Sequence, residues 1–365
     1  MASPEFNFSL LTAPLEQRDQ RKLEQRVMAY TAPQLEYCNV ASAASGEQIV
    51  GTAPLLQIAV AIELPAKDWD VFRDAALRNE RRLELSARAA RAGLRFALLI
   101  FETSSTPRNA PFVTVRVLRR KASLSAGYAQ TQHRVLLTEL DDFLEAALFE
   151  RSALTRFAAV EPDGKRLLLV CVHGRVDAAC AKFGVPLQRH LERMQVSGVT
   201  VCRCAHFGGH RFAPTAVELP SLRLWGRLTT QTATALATRS GDLPALLRSA
   251  YRGSSSVDGY TQLLERAAWD AIGWDWLLYR ATGRVTALDG EPDLARLIHP
   301  STQTAPPAWA EVRLDFIRPD GRSGAFTGRV ERVESVHTRG STGGRKLEYA
   351  QFALTEFSAA PRTDS

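Results

Sequence analysis

Residues that can bind soft metals are concentrated in one short stretch of this 365-residue sequence. Four of the five cysteines and four of the seven histidines lie between Cys171 and His210. Cys171 and Cys180 are separated by eight residues, and His206 and His210 stand four apart around a Gly-Gly pair. Two thiolates and two imidazoles suit zinc, or an iron–sulfur cluster with histidines on one iron. The stretch therefore predicts a metal centre.

The local pattern around these residues favours their convergence. Cys171 follows an apolar run predicted as a strand over 166–170, and Cys180 begins a helix predicted over 179–194. A loop between a strand end and a helix start can bring both thiols to one point, and a helix N-terminus favours the thiolate form that binds metal. Gly208 and Gly209 permit positive φ, so the loop that carries the histidines can curl around an inorganic group.

Each candidate has a simpler interpretation. Cys171 and Cys180 could be buried core thiols, and the histidines could be an exposed pair beside a turn. Cys202 and Cys204 lie two apart on a predicted strand and so share one face. Cys204 is close enough in sequence to compete with His206, which makes it the runner-up ligand. Cys38 lies far upstream and is interpreted as a structural thiol.

The combined motif resembles the sucrase/ferredoxin-like family, whose members contain a thioredoxin-like 2Fe-2S ferredoxin domain. The similarity rests on Cys-x8-Cys followed by His-x-Gly-Gly-His-Arg-Phe-Ala. It extends to Asp177, Pro214 and the stretch from Leu219-Pro220 to Trp225-Gly226-Arg227-Leu228. Upstream, Cys38 with Gly51-Thr52-Ala53-Pro54 is similar to the N-terminal signature of the family. The resemblance covers about residues 36–275 and is strongest over 166–228.

This resemblance implies a cofactor and a ligand set. The cofactor is a 2Fe-2S cluster, with Cys171 and Cys180 on one iron and His206 and His210 on the other. In thioredoxin-like ferredoxins the second ligand pair is Cys-x3-Cys. Here the spacing is kept, but both positions are histidine. The ligand types are those of a Rieske centre, in which a histidine keeps a second ring nitrogen that can exchange a proton.

The leading functional interpretation is an electron-transfer protein with proton-coupled one-electron reduction, and not an enzyme. The sequence shows neither a GxSxG nucleophile elbow nor a dinucleotide GxGxxG after a strand. One alternative is a structural zinc module for protein interaction that uses the same four ligands. A second is a cluster-based redox sensor, and a third is thiol–disulfide chemistry at Cys202 and Cys204. The expected partner is a redox protein that the sequence does not identify.

Composition limits the remaining classes. The excess of 46 basic over 39 acidic residues gives a net charge of +7, without a basic run interleaved with aromatics, so nucleic acid is not an expected partner. No segment reaches 18 apolar residues, which excludes a membrane-spanning helix. The first 20 residues contain Glu5 and Glu16 and lack the pattern of a secretory signal. The expected location is the cytoplasm.

Hydrophobic periodicity predicts an α/β (α+β) protein that positions these ligands. The predicted organisation is an N-terminal arm (1–35), an α/β lobe (36–160), the thioredoxin-like ferredoxin domain (161–252) and a C-terminal extension of helix and antiparallel strands (253–365). A helix is expected over 15–29 and a linker over 253–256. The glycine-rich residues 341–344 lack the context of a phosphate loop and predict a hairpin turn.

Overall fold

Alternating apolar strands and amphipathic helices give a mixed α/β architecture, as the sequence predicts. The computed structural model describes residues 36–121, 127–289 and 306–360. The predicted arm and its helix lie outside these ranges. From Tyr37 onward the chain belongs to one compact unit. The α-helices of the described ranges, in chain order, are α1 (Cys38–Ala44), α2 (Trp69–Arg78), α3 (Glu80–Arg91), α4 (Leu140–Phe149), α5 (Ala178–Met194), α6 (Thr230–Thr238), α7 (Leu243–Ala250) and α8 (Gly259–Ile272).

A large mixed sheet contains ten strands in the described ranges. They are β1 (Ile58–Glu63), β2 (Phe96–Glu102), β3 (Phe112–Arg120), β4 (Tyr128–Leu136), β5 (Ala158–Ala159), β6 (Arg166–Cys171), β7 (Val199–Cys204), β8 (Ala216–Leu219), β9 (Arg223–Trp225) and β10 (Tyr251–Ser254). Their order is β10-β9-β8-β6-β7-β2-β1-β3-β4-β5. The pairs β1/β2 and β6/β7 are parallel and the others antiparallel. The segments predicted as two lobes thus contribute neighbouring strands to one sheet.

A second sheet is wholly antiparallel and is built from the C-terminal segment. Its strands, in spatial order, are β11 (Arg280–Leu288), β12 (Trp309–Ile317), β13 (Ser323–Arg339) and β14 (Lys346–Ala360). The sequence predicts the last three of these strands and misses β11. Residues 341–344 form the turn of the β13/β14 hairpin, which confirms that prediction.

The linker predicted over 253–256 is wrong. Gly253 and Ser254 belong to β10, which pairs with β9 and is buried along its whole length. Ser255 is also fully buried, and its N–H donates to the Leu222 carbonyl. Glycine and serine are typical of linkers, but here their small size allows the strand to pack under α8, where Gln262 contacts Gly253.

Successive side chains of β6 pack into two different hydrophobic cores. On β6, Leu168 and Val170 pack with the helices α5 to α8 and with the C-terminal sheet. Leu167 and Leu169 of the same strand pack into a second core that also holds Cys202. Because successive residues of a strand face opposite sides, both faces of β6 are covered and the strand is held rigidly. That rigidity fixes the position of Cys171 at its carboxyl end.

Candidate metal centre

Two cysteines come together because a strand end faces a helix start. Cys171 is the last residue of β6, and Cys180 lies in the first turn of α5. Asp177 caps that helix, since its Oδ1 accepts a hydrogen bond of 2.9 Å from the Ala179 N–H. Each of the two cysteines is only 1% exposed. The strand–loop–helix predicted from the sequence is therefore confirmed.

The parallel pairing of β6 and β7 brings the first histidine to the same place. The two strands end together at Cys171 and Cys204, and His206 lies two residues beyond β7. Its Nδ1 is 4.0 Å from the Cys171 Sγ and 3.5 Å from the Cys180 Sγ. These three donor atoms, which we call the first donor group, all lie within 4.8 Å of one another.

His210 lies beside this group but faces a different set of partners. Gly208 and Gly209 adopt φ of +100° and +79°, and the chain curls between the histidines as expected. The His206 and His210 ring centroids are 5.5 Å apart. The Nδ1 of His210 lies 3.3 Å from the Cys38 Sγ and 3.3 Å from the Asp177 Oδ2. Cys38, Asp177 and His210 form what we call the second donor group.

Cys38 is a site residue that the sequence interpretation missed. It begins α1, is fully buried, and its Sγ lies 3.6 Å from the Asp177 Oδ1. The sequence interpretation of Cys38 as a structural thiol did not anticipate this contact with His210. The signal available in the sequence was the family-like signature at Cys38, but sequence separation alone gave no reason to place it at the centre.

Thr342 is a second residue that was missed. It lies in the β13/β14 turn and contacts Asp177 twice, through Oγ1 to Oδ1 at 2.5 Å and through N to Oδ2 at 2.8 Å. The same Oγ1 accepts a hydrogen bond of 3.3 Å from the Cys38 N–H. The hairpin thus reaches the second donor group from the far end of the chain.

The local electrostatics shift the pKa values of Cys171 and Cys180 in opposite directions. A hydrogen bond from Cys180 lowers the pKa of Cys171 well below its ordinary value, with a further contribution from His206. The same interaction raises the pKa of Cys180, so Cys171 is the thiol of the pair that ionises more readily. Burial raises the pKa of Cys38 to about 11. A thiolate is the form that binds metal, so Cys171 is the thiol best prepared to do so.

In the second donor group, the pKa values of His210 and Asp177 also favour ligand forms, whereas that of Cys38 does not. Burial lowers the pKa of His210, which keeps the ring neutral. Burial acts to raise the pKa of Asp177, but the hydrogen bonds from Thr342 and the Ala179 N–H, together with His210, lower it overall. Metals bind neutral imidazole and ionised carboxylate.

The other candidate residues belong to neither donor group. Cys202 and Cys204 share one buried face of β7, as expected, and neither belongs to a donor group of the described residues. Burial raises the pKa of both thiols. His173 contacts Asp70 at 2.9 Å and Arg73 at 2.8 Å. Cys204, the runner-up ligand, is fully buried in the second core.

Comparison with known proteins identifies the family of this chain. Residues 49–253 match the family model described as sucrase/ferredoxin-like, which is more than half of the chain. The chain belongs to the sucrase/ferredoxin-like family. Both cysteines and both histidines fall inside the matched residues, whereas Cys38 and Thr342 fall outside them. Neither the curated proteins nor the solved structures give a match. Among the described residues, no helix is long and apolar enough to cross a membrane.

Proposed function

We propose that this protein carries single electrons on a 2Fe-2S cluster held by Cys171, Cys180, His206 and His210. The observation that supports the proposal is the first donor group, in which two buried sulfurs and the His206 Nδ1 lie within 4.8 Å of one another. The His210 ring stands beside it, 5.5 Å from the His206 ring. The ligands come from a strand end, a helix start and one curled loop.

The chemistry of the donor set fits such a cluster. Thiolate and imidazole are soft or borderline ligands, and they are the donors of known bis-cysteine, bis-histidine iron centres. The spacing of the site is that of a ferredoxin of the thioredoxin-like type, with histidine in place of cysteine at both positions of the second pair. When bound, the cluster supplies a centre that accepts and releases one electron. The α/β scaffold holds its ligands on rigid elements, as electron transfer requires.

The two thiols and the two imidazoles occupy different parts of the proposed site. The buried thiols hold the inner side, where water is excluded. His206 is partly exposed, and the side chain of His210 is 23% exposed, so the imidazoles form the rim. An imidazole bound through one nitrogen can exchange a proton at the other, which couples electron uptake to proton uptake. We therefore expect a redox protein as the partner, with contact at the histidine rim, and an electron carrier instead of an enzyme.

One set of measurements on protein purified without oxygen tests the proposal. We expect a brown protein with visible charge-transfer bands, two iron and two sulfide per chain, and an electron paramagnetic resonance (EPR) signal only after reduction. A colourless protein that contains zinc at one ion per chain would overturn it in favour of a structural zinc module with the same ligands. Protein without either metal would also overturn it.

A further inference from the structure

We propose that the C-terminal hairpin completes the metal centre, with Thr342 and Asp177 as positioning residues for His210. This inference rests on the proposed function and extends it beyond the residues matched by the family model. Thr342 holds the Asp177 carboxylate, and Asp177 together with Cys38 holds the Nδ1 side of the His210 ring. The hairpin turn is then part of the site and not only a cover for the fold.

Asp177 is fixed by contacts from two separate segments. Its Oδ1 accepts from the Ala179 N–H at 2.9 Å and from the Thr342 hydroxyl at 2.5 Å. Its Oδ2 accepts from the Thr342 N–H at 2.8 Å. The side chain is only 2% exposed, so water does not compete for these positions. A buried carboxylate with this many donors has one stable orientation.

That orientation sets the orientation of His210. The Asp177 Oδ2 and the Cys38 Sγ each lie 3.3 Å from the His210 Nδ1. With Nδ1 occupied on this side, Nε2 is the ring nitrogen left for a metal. Metal-binding histidines commonly present the other ring nitrogen to a carboxylate, which fixes the tautomer and the ring plane.

The hairpin is well placed to hold this arrangement. The Thr342 Oγ1 accepts from the Cys38 N–H at 3.3 Å while it donates to Asp177, so one hydroxyl joins α1 to the start of α5. Next to His210 in the chain, the Arg211 guanidinium lies 4.2 Å from the centre of the Tyr349 ring on β14. The hairpin therefore contacts the second donor group through Thr342 and the histidine loop through Tyr349.

The test compares Thr342→Val, Asp177→Asn and the matched control Thr342→Ser. Valine keeps the shape of threonine but removes the hydroxyl. Asparagine still caps α5 but presents an N–H where Asp177 presents Oδ2. The first readout is the nitrogen hyperfine coupling of the reduced centre by pulsed EPR. The second is the rate at which a chelator removes iron.

We expect Thr342→Val and Asp177→Asn to change one of the two nitrogen couplings and to lose iron on the order of 10- to 100-fold faster. Thr342→Ser should match the wild type in both. A purely structural role would leave the couplings of the retained centre unchanged. If both Thr342→Val and Asp177→Asn show the nitrogen couplings and the iron release rate of the wild type, this inference is overturned, although the proposed cluster is not.

Two further outcomes are decided by the same experiment. If Thr342→Val does not fold, the couplings and iron release of Asp177→Asn test the inference. This variant is expected to fold because asparagine retains the helix cap. If the wild type itself lacks iron and sulfide, the proposed function fails and this inference fails with it. The iron content of the wild type therefore distinguishes the two failures.

Discussion

Cys171 and Cys204 stand directly opposite each other on the parallel strands β6 and β7, yet only Cys171 belongs to a donor group. Cys171 lies 4.0 Å from the His206 Nδ1, whereas Cys204 packs in a core with Phe101. Burial raises the pKa of Cys204, while hydrogen bonding from Cys180 lowers the pKa of Cys171. Cys180 at the helix start thus favours the thiolate form at Cys171, whereas Cys204 has no such hydrogen bond among the interactions that shift its pKa.

The first prediction follows from this difference. Cys171→Ser and Cys180→Ser should each abolish stable cluster binding, because a thiolate is lost from the iron that has no imidazole ligand. Cys202→Ser and Cys204→Ala should retain iron and sulfide, with at most a stability cost of about 1–3 kcal/mol from altered packing. Iron and sulfide content with the visible spectrum measures both. Full cluster content in either of the first two variants would show that the ligand assignment is wrong.

Cys204 has a separate outcome because it is the runner-up ligand. If Cys204→Ala loses its colour while remaining folded by circular dichroism, Cys204 enters the ligand set and displaces one histidine. Its burial in the second core argues for retention.

The second prediction concerns the glycine pair between the histidines. A Cβ at Gly209 would overlap the Arg252 guanidinium, whereas a Cβ at Gly208 would meet open space within 4 Å. Both residues have positive φ, so Gly208→Ala and Gly209→Ala share a backbone strain of roughly 1–2 kcal/mol. Gly209→Ala should also displace the loop that carries His210 and lower iron content well below that of Gly208→Ala. Equal iron content in the two variants would refute the role of the Arg252 contact.

The third prediction concerns the approach of α5 to β6. A Cβ at Gly184 would overlap the Cys171 carbonyl oxygen. In an ordinary helix, Gly→Ala stabilises by roughly 0.5–1 kcal/mol. Here we expect the reverse, a loss of about 1–3 kcal/mol in the free energy of unfolding, with faster release of iron. Lys182→Ala, at an exposed position of the same helix, is the control for introducing an alanine into α5 away from the contact with β6. A Gly184→Ala variant as stable as Lys182→Ala would contradict the close approach.

The sequence predicts the first donor group because its contacts are local. Cys171 and Cys180 are joined by one loop, and His206 follows the strand that pairs with β6. The strand β7 over 199–204 is predicted to the residue. Short-range pattern and the parallel strand ends are enough to bring these residues together.

The second donor group could not be predicted from pattern in the same way. Asp177 is separated from Cys38 by 139 residues and from Thr342 by 165 residues, and both contacts depend on tertiary packing. Periodicity carries no information about which distant turn meets a given carboxylate. The linker prediction over 253–256 is wrong for a related reason. Gly253 and Ser254 are small residues that allow close packing under α8, and their composition resembles that of a flexible linker.

The last prediction is that the reduction potential falls as pH rises. Each ligating imidazole keeps one ring nitrogen for a proton, and an added electron raises the proton affinity of that nitrogen. The Asp177 Oδ2 lies 3.3 Å from the His210 Nδ1, and a carboxylate at this distance favours the protonated state of that ring nitrogen. The potential is therefore level at low pH and declines where the oxidised form loses its imidazole protons. The decline should approach about 59 mV per pH unit for each coupled proton.

The matched variants make this prediction specific to the ligands. Two neutral imidazoles in place of two thiolates reduce the negative charge, so the wild-type potential should lie above the value of about −400 mV for all-cysteine plant-type ferredoxins. The double variant His206→Cys with His210→Cys should lower the potential and flatten its pH dependence. His173→Gln, beside the site but paired with Asp70 and Arg73, should keep the wild-type slope. Voltammetry across pH measures all three. A wild-type potential that stays constant from about pH 6 to 10 would argue against two imidazole ligands with free ring nitrogens, and a shallower slope would favour one imidazole with Cys204 as the fourth ligand.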